Sequence, residues 1–346
     1  MLDSSADIRE LDSRDMLGKI DLLPKHLSEG LVRGRRSGLP RFTPRNIVVC
    51  GMGGSAIGGD LLKEWLAIST DVACEVCRSY SVPAYVGKDS LVIVASYSGN
   101  TEESLSMLED AVRKRAKVAT ISSGGRLADL AGSHSLPHAR IGSGLVPRSS
   151  LGFMFGAMVG VIERTGLVEV DKQFEETLRI LNQTIACCKA SVITTDNPAK
   201  RLAHELYGLV PVVFGYGLSA PVSKRWANQM NENAKVLAFS SEIPEMDHNE
   251  IVGWVMDLRS QGFSAVFLEH EIPNAALRRR VNATKGMIAK RTQVHAVYGS
   301  GLSPLAQIFS LVAIGDYVST YLGLLRREDP SSTQVIEDLK SILAKK

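Results

Sequence analysis

From residue 46 onward, short runs of apolar residues alternate with longer stretches in which apolar positions recur at helical spacing. The run "NIVVC" (46–50) is β-branched and unbroken, as in a strand buried on both faces, and leads through glycines into a helix reaching Trp65. "VACEVCR", "SLVIVASYS" and "KVATISS" predict three further strands, and "EESLSMLEDAVRKRA" predicts a helix between the last two. Such alternation means a parallel sheet with helices on both faces. Ahead of it, residues 8–36 form a helical region broken near Pro24, which ends in the basic stretch "VRGRRSGLPRFTPR". That stretch predicts a solvated or subunit-facing segment.

The pattern repeats. "VVCGMGGSA", starting at Val48, returns as "VVFGYGLSA", starting at Val212, with both valines, two glycines and Ser-Ala in matching places. Two copies of one α/β unit are implied. The predicted organisation is an N-terminal helical segment (1–45), a first unit (46–166), a linking region (167–200) with a helix over 171–189, a second unit (201–325) and a C-terminal segment (326–346). Residues 307–325 and 332–344 supply closing helices.

Composition narrows the class. The chain has 346 residues, enough for two domains, with 45% hydrophobic and 22% charged residues, as in a soluble globular protein. A net charge of +3 is too small for the basic stripe of a nucleic-acid binder. The five cysteines show no framework spacing, and Cys74-x-x-Cys77 has no second pair or histidine at ligand distance, so no metal is expected and a reducing compartment is. The N-terminus is polar and acidic, unlike a signal peptide. Of the two longest apolar stretches, 151–162 is too short to span a membrane and 308–325 carries Asp316. A cytoplasmic protein without a membrane or nucleic-acid partner is expected.

The glycine turn admits two anions. Gly51, Gly53 and Ala56 fit a dinucleotide fingerprint, and Glu75 lies where an acidic residue would meet a ribose. The same turn sets Ser55 beside bare amides at a helix start, which suits one phosphate group. The loop "SYSGNTEES" (96–104) favours the phosphate. It offers hydroxyls at Ser96, Ser98 and Thr101 before a helix, where capping alone uses one.

"GMGGSAIGGD", "SYSGNTEE", "PRSSLG", "NENAK", "DHNEIVGW" and "DPSSTQVIEDLK", in this order, resemble the bifunctional phosphoglucose/phosphomannose isomerase family. The resemblance covers nearly the whole chain from about residue 46, and "NENAK" with "DHNEIVGW" is its most specific part. It implies two sugar isomerase (SIS) subdomains, each a doubly wound, flavodoxin-like parallel sheet in three α-β-α layers, with N- and C-terminal helices. It also implies a hexose 6-phosphate substrate, a homodimer and no cofactor. Gly54, Ser55, Ser96, Ser98 and Thr101 are implied to hold the phosphate. Glu232 is implied to shuttle a proton between C1 and C2, a task a positioned carboxylate performs in triosephosphate isomerase. His248 is implied to open the sugar ring, entering from the neighbouring subunit. Arg148 is implied to stabilise the enediolate with its planar donors, Lys340 to assist at the ring oxygen, and Thr333 to leave room for both C2 epimers. Thr333 and Lys340 are seven residues apart, two turns along one helix face. A related tandem SIS enzyme such as the isomerase half of glucosamine 6-phosphate synthase, a non-catalytic sugar-phosphate sensor and an NAD-dependent oxidoreductase are the alternatives.

Overall fold

The computed structural model describes residues 1–272 and 274–343. The chain forms two compact units. One comprises Leu22–Asn182 with Gly301–Ile308, and the other Met1–Asp21, Gln183–Ser300 and the chain from Phe309 onward. Each contains one parallel sheet.

In the first unit, helix α3 (Leu23–Arg35) follows α1 (Ser5–Leu11) and α2 (Met16–Asp21), which belong to the other unit. Pro24 sits in the first turn of α3, where its missing N–H costs nothing. The sheet is built from β1 (Asn46–Cys50), β2 (Cys74–Cys77), β3 (Ser90–Ala95), β4 (Lys117–Ser122) and β5 (His138–Arg140) in the order β2-β1-β3-β4-β5, all parallel. This is the doubly wound order expected. Helices α4 (Gly53–Ala67), α5 (Glu102–Arg113) and α6 (Gly125–Ser133) connect the strands, and α7 (Leu151–Thr165) and α8 (Asp171–Cys188) follow. Strand β3 is buried at every position, as its unbroken apolar run requires.

Helix α7 is buried nearly all round because α3 covers it. Glycines make that approach possible: Gly30 and Gly34 on α3 face Gly152, Gly156 and Gly160 on α7. A Cβ on Gly30 would lie 2.5 Å from the Phe153 carbonyl oxygen, and one on Gly156 would press into the Leu27 carbonyl. Arg35 closes the end of the pair by hydrogen bonds to Glu163 and Asp171. Overpacking such a seam forces backbone shifts, so Gly156→Val is expected to cost about 1 to 3 kcal/mol. Gly132→Ala in α6, where a Cβ meets open space, is expected to be neutral or to add up to about 1 kcal/mol. Denaturant midpoints of the two variants check both; a Gly156 variant as stable as wild type would contradict this account of the seam.

The second unit repeats the plan. Its sheet, β7-β6-β8-β9, is made of β6 (Val210–Gly215), β7 (Phe239–Glu242), β8 (Phe263–Glu269) and β9 (Gln293–Tyr298), again parallel. Helices α9 (Pro198–Leu206), α10 (Ala220–Ala234), α11 (Glu250–Met256), α12 (Ala275–Ile288), α13 (Pro304–Leu325) and α14 (Gln334–Leu343) complete the chain. Helix α13 is long and apolar enough to cross a membrane, yet 89% of its apolar window is buried within the protein. Its Asp316 is buried, accepting two hydrogen bonds from Arg225 (3.0 and 2.7 Å) and one from Gln229 (3.0 Å), both on α10. The absent side chain of Gly315 makes room for the Trp226 ring, whose Nε1–H donates to the Leu311 carbonyl at 2.9 Å. Helix α10 is thereby fixed against α13.

Candidate active site

In the first unit β1 and β3 are neighbours, with Cys50 opposite Val94, so the loops at their carboxyl ends emerge side by side. A Cβ on Gly51 would lie 2.8 Å from the Ala95 carbonyl oxygen. Here the direction of winding reverses, which is where open α/β sheets bind ligands. Gly53 adopts a left-handed φ of 50°, and α4 starts there without a side-chain cap. The Ser55 hydroxyl makes no hydrogen bond among the described residues. In the second loop Ser96 Oγ lies 2.8 Å from Thr101 Oγ1 and accepts from the Gly99 amide at 3.2 Å, while Ser98 Oγ accepts from the Asn100 amide at 3.2 Å. Thr101 therefore does not cap α5, whose first amides stay open. Two uncapped helix N-termini and four hydroxyls form a cradle of fixed dipoles suited to a dianion.

Arg148 belongs to the same unit. It lies in a 3₁₀ turn, Pro147–Ser150, and is only 4% exposed. A Cβ on Gly54 would lie 3.2 Å from the Pro147 carbonyl oxygen and 3.7 Å from Arg148 Cα, so the glycine turn and the arginine turn touch. Tyr97, between the two loop serines, ties these parts together: its hydroxyl accepts from the Leu145 amide at 2.8 Å and its carbonyl accepts from Ser123. Burial pushes the Tyr97 phenol above its ordinary range. Sequence reading missed this residue; an aromatic inside a Ser/Thr loop was the available signal.

The matching turn of the second unit is closed. Gly217 has nearly the same left-handed φ, 47°, as Gly53. Ser219, the counterpart of Ser55, accepts from the Tyr216 amide at 3.1 Å and donates to the Leu268 carbonyl at 2.9 Å. His270 follows β8 as Ser96 follows β3, and its ring lies against Tyr216 with Nε2 2.9 Å from the Tyr216 carbonyl. One sequence motif thus yields an open cradle in the first unit and a filled one in the second.

Glu232 lies in the last turn of α10, half-buried. Its neighbours brace the helix end: Asn231 donates to the Ala227 and Ala238 carbonyls (2.8 and 2.9 Å), and Asn233 donates to Ser319 Oγ at 3.0 Å. His248 ends a 3₁₀ turn, Glu245–His248, and is exposed. That turn is held by the buried Met246 and by Asp247, which accepts from the Thr284 hydroxyl at 2.7 Å and pairs with Arg280 at 3.5 Å. Thr333 differs from its expected place. Helix α14 begins at Gln334, so Thr333 stands at the helix entrance, its carbonyl accepting from the Ile336 and Glu337 amides and its hydroxyl donating to Glu337 at 2.7 Å. The run "DPSST" offers several capping residues, and pattern alone did not fix which one starts the helix. Lys340 lies on α14, but its side chain is outside the described residues.

The dinucleotide alternative loses support. Glu75 sits mid-strand on β2, opposite Val48, and accepts from the Tyr85 hydroxyl, short of the carboxyl end where a ribose would have to lie. Cys77 pairs in register with Cys50, whose thiol hydrogen bond lowers the Cys77 pKa, and among the described residues no three His, Cys, Asp or Glu side chains are grouped to hold a metal. A separate cavity of about 820 Å³ among the N-terminal helices holds none of these site residues. Its buried Lys200 donates to the Leu2, Ala190 and Val192 carbonyls, which marks it as structural.

Residues 42–133 match the SIS domain, and residues 195–343 match the bacterial phospho-glucose isomerase C-terminal SIS domain. A bifunctional phosphoglucose/phosphomannose isomerase of Caldicellulosiruptor bescii is 38% identical over 302 residues, covering 86% of this chain and 89% of that protein. The chain belongs to the bifunctional phosphoglucose/phosphomannose isomerase family. The Aquifex aeolicus member is 34% identical, covering 88% and 92% of the two chains. In fold, this family member is similar to a hypothetical protein from Thermus thermophilus, with a TM-score of 0.77 at 16% identity over 98% of this chain and 93% of that one. The motifs had implied both the family and the fold.

Proposed function

We propose that the protein is an isomerase interconverting glucose 6-phosphate and mannose 6-phosphate with fructose 6-phosphate. The observation that carries this reading is the open cradle of the first unit, with its unengaged Ser55 hydroxyl, in a chain of this family.

The chemistry needs no redox change. The 6-phosphate is held by Ser55, Ser96, Ser98, Thr101 and the amides of the glycine turn, including Gly54. His248, contributed by the partner copy in a homodimer, moves the O1 proton to O5 as the ring opens, with Lys340 assisting at O5. Glu232 removes the C2 proton of the open aldose and returns it to C1 while the O2 proton passes to O1, and the negative charge that develops on the cis-enediolate is met by the buried guanidinium of Arg148. Glucose 6-phosphate and mannose 6-phosphate share one enediolate, so protonation at C2 from either face gives both aldoses.

A coupled assay offering each hexose 6-phosphate in turn tests the proposal, and a protein inactive on all three would overturn it. The same assay tests the part assigned to Thr333. Its small side chain leaves space for the C1–C2 portion to turn about C2–C3, and a glutamine would fill that space. Thr333→Gln is expected to lower kcat/KM for mannose 6-phosphate relative to glucose 6-phosphate by about 10 to 200-fold, the scale of a pocket contact worth 1 to 3 kcal/mol. Equal losses on both sugars would remove Thr333 from the choice of epimer.

A further inference from the structure

Helix α10 ends at a residue that is unusual for its place. Lys235, its C-terminal cap, has φ 54° and ψ 37°, and its amide donates to the Met230 carbonyl. A left-handed cap is ordinarily glycine, because a Cβ there is strained. A lysine kept in that conformation needs a compensating contact, and its side chain supplies one. The ammonium donates to the Glu232 carbonyl at 2.8 Å and to the Asp329 carbonyl at 2.7 Å, with the Ser332 carbonyl at 3.4 Å and the Asn233 carbonyl at 3.5 Å. Two of these carbonyls lie in the last turn of the helix that carries Glu232. The other two lie in the segment that delivers Thr333.

That segment has little regular structure of its own. It folds around Asp329, whose carboxylate accepts from the Ser331 amide and the Ser13 hydroxyl, both at 2.7 Å. Arg326 adds a second cation at the same helix end, donating to the Ala234 carbonyl at 3.0 Å. The last carbonyls of a helix carry partial negative charge and lack intrahelical donors, so an ammonium among them is held firmly. The left-handed turn at Lys235 directs its side chain back along the helix end, where it reaches both segments at once.

We propose that Lys235 is a positioning residue: its ammonium fixes the Thr333 segment against the end of the Glu232 helix, and so sets the relative handling of the two C2 epimers. The kinetic arm of this inference rests on the isomerase reading above; a hydrogen-exchange arm does not.

The test uses the full-length protein and Lys235→Met, which keeps most of the stem and loses the charge. Amides of residues 331–337 are expected to exchange about tenfold faster or more, the scale of a lost charge-assisted hydrogen bond, with those of β6 and β8 unchanged. In the kinetic arm kcat is expected to fall about tenfold on both aldoses. The ratio of kcat/KM for mannose 6-phosphate over glucose 6-phosphate should shift by roughly threefold or more, while the inhibition constant of inorganic phosphate stays at its wild-type value. A merely structural role would move phosphate inhibition in step with kcat. That result, or unchanged exchange in residues 331–337, would overturn the proposal. If Lys235→Met does not fold, Lys235→Gln retains one donor and should show the same shifts at smaller size; unchanged exchange and an unchanged ratio in the folded glutamine variant would also overturn it. A wild-type protein inactive on both aldoses, whose methionine variant still exchanges faster in this segment, would sink the isomerase reading and leave the clamp standing.

Discussion

Glu232→Gln is expected to lower kcat on all three hexose 6-phosphates by about 10² to 10⁴-fold, the usual loss on removing a positioned general base. The substitution keeps the shape of the side chain and removes its capacity to accept a proton from carbon. The helix end around it should not change, because it is held by other groups: Asn231 by the Ala227 and Ala238 carbonyls, Asn233 by Ser319, and the terminal carbonyls by Lys235 and Arg326. The hydroxyls assigned to the phosphate follow β1 and β3; those of Ser96, Ser98 and Thr101 make their hydrogen bonds within the second loop, and Glu232 is a partner in none of these bonds. Competitive inhibition by inorganic phosphate should therefore persist at its wild-type strength. Steady-state kinetics with a phosphate inhibition series separates the two effects. Near-normal turnover would remove Glu232 from the chemistry, and lost phosphate inhibition would assign it to binding.

How much of this was legible in the sequence follows the kind of interaction involved. Strands β1 and β3 were readable because a strand buried on both faces must be a nearly unbroken apolar run, and "IVVC" and "LVIVA" are; β4, "KVATIS", was readable from its β-branched residues. Strand β5 was not, since three residues with a histidine and an arginine at its ends carry no period. The repeat disclosed two glycine turns but not their difference. "VVCGMGGSA" and "VVFGYGLSA" look equivalent, and the second is filled because the Leu268 carbonyl, distant in sequence, takes the Ser219 hydroxyl and His270 packs on Tyr216. The glycine seam between α3 and α7 was hidden for a related reason. Glycines in a helix read as weak helix formers until the partner backbone they admit is known. Lys235 lay in plain view inside "NENAK", but its left-handed φ and its carbonyl partners are facts of the fold. Local pattern reports burial and period; it does not report which distant groups consume a hydroxyl or a carbonyl.

Mixing Glu232→Gln with His248→Ala, each nearly inactive alone, is expected to restore about a quarter of wild-type activity once subunits have exchanged. His248 stands exposed at the end of its turn, and the chain after it displays apolar side chains to solvent: Val252 is 64% exposed, Met256 73% and Leu258 73%. Val252 and Met256 are one helical turn apart and share a face. Large apolar groups grouped beside a proposed catalytic histidine are suited to being covered by a second copy, and twofold symmetry would then offer each His248 to the other subunit. In an equimolar mixture about half of the dimers pair one variant with the other. Each such dimer has one site with Glu232→Gln and His248→Ala together, and one site in which both groups are native. Half of the dimers with half of their sites intact gives the expected quarter. If His248 served its own subunit, every site in the mixture would lack one group or the other and no activity would return. The measurement is glucose 6-phosphate turnover before and after exchange, with exchange itself followed by native mass spectrometry on a size-tagged partner. A mixture that has formed mixed dimers and stays inactive would place His248 in its own subunit's chemistry or outside catalysis.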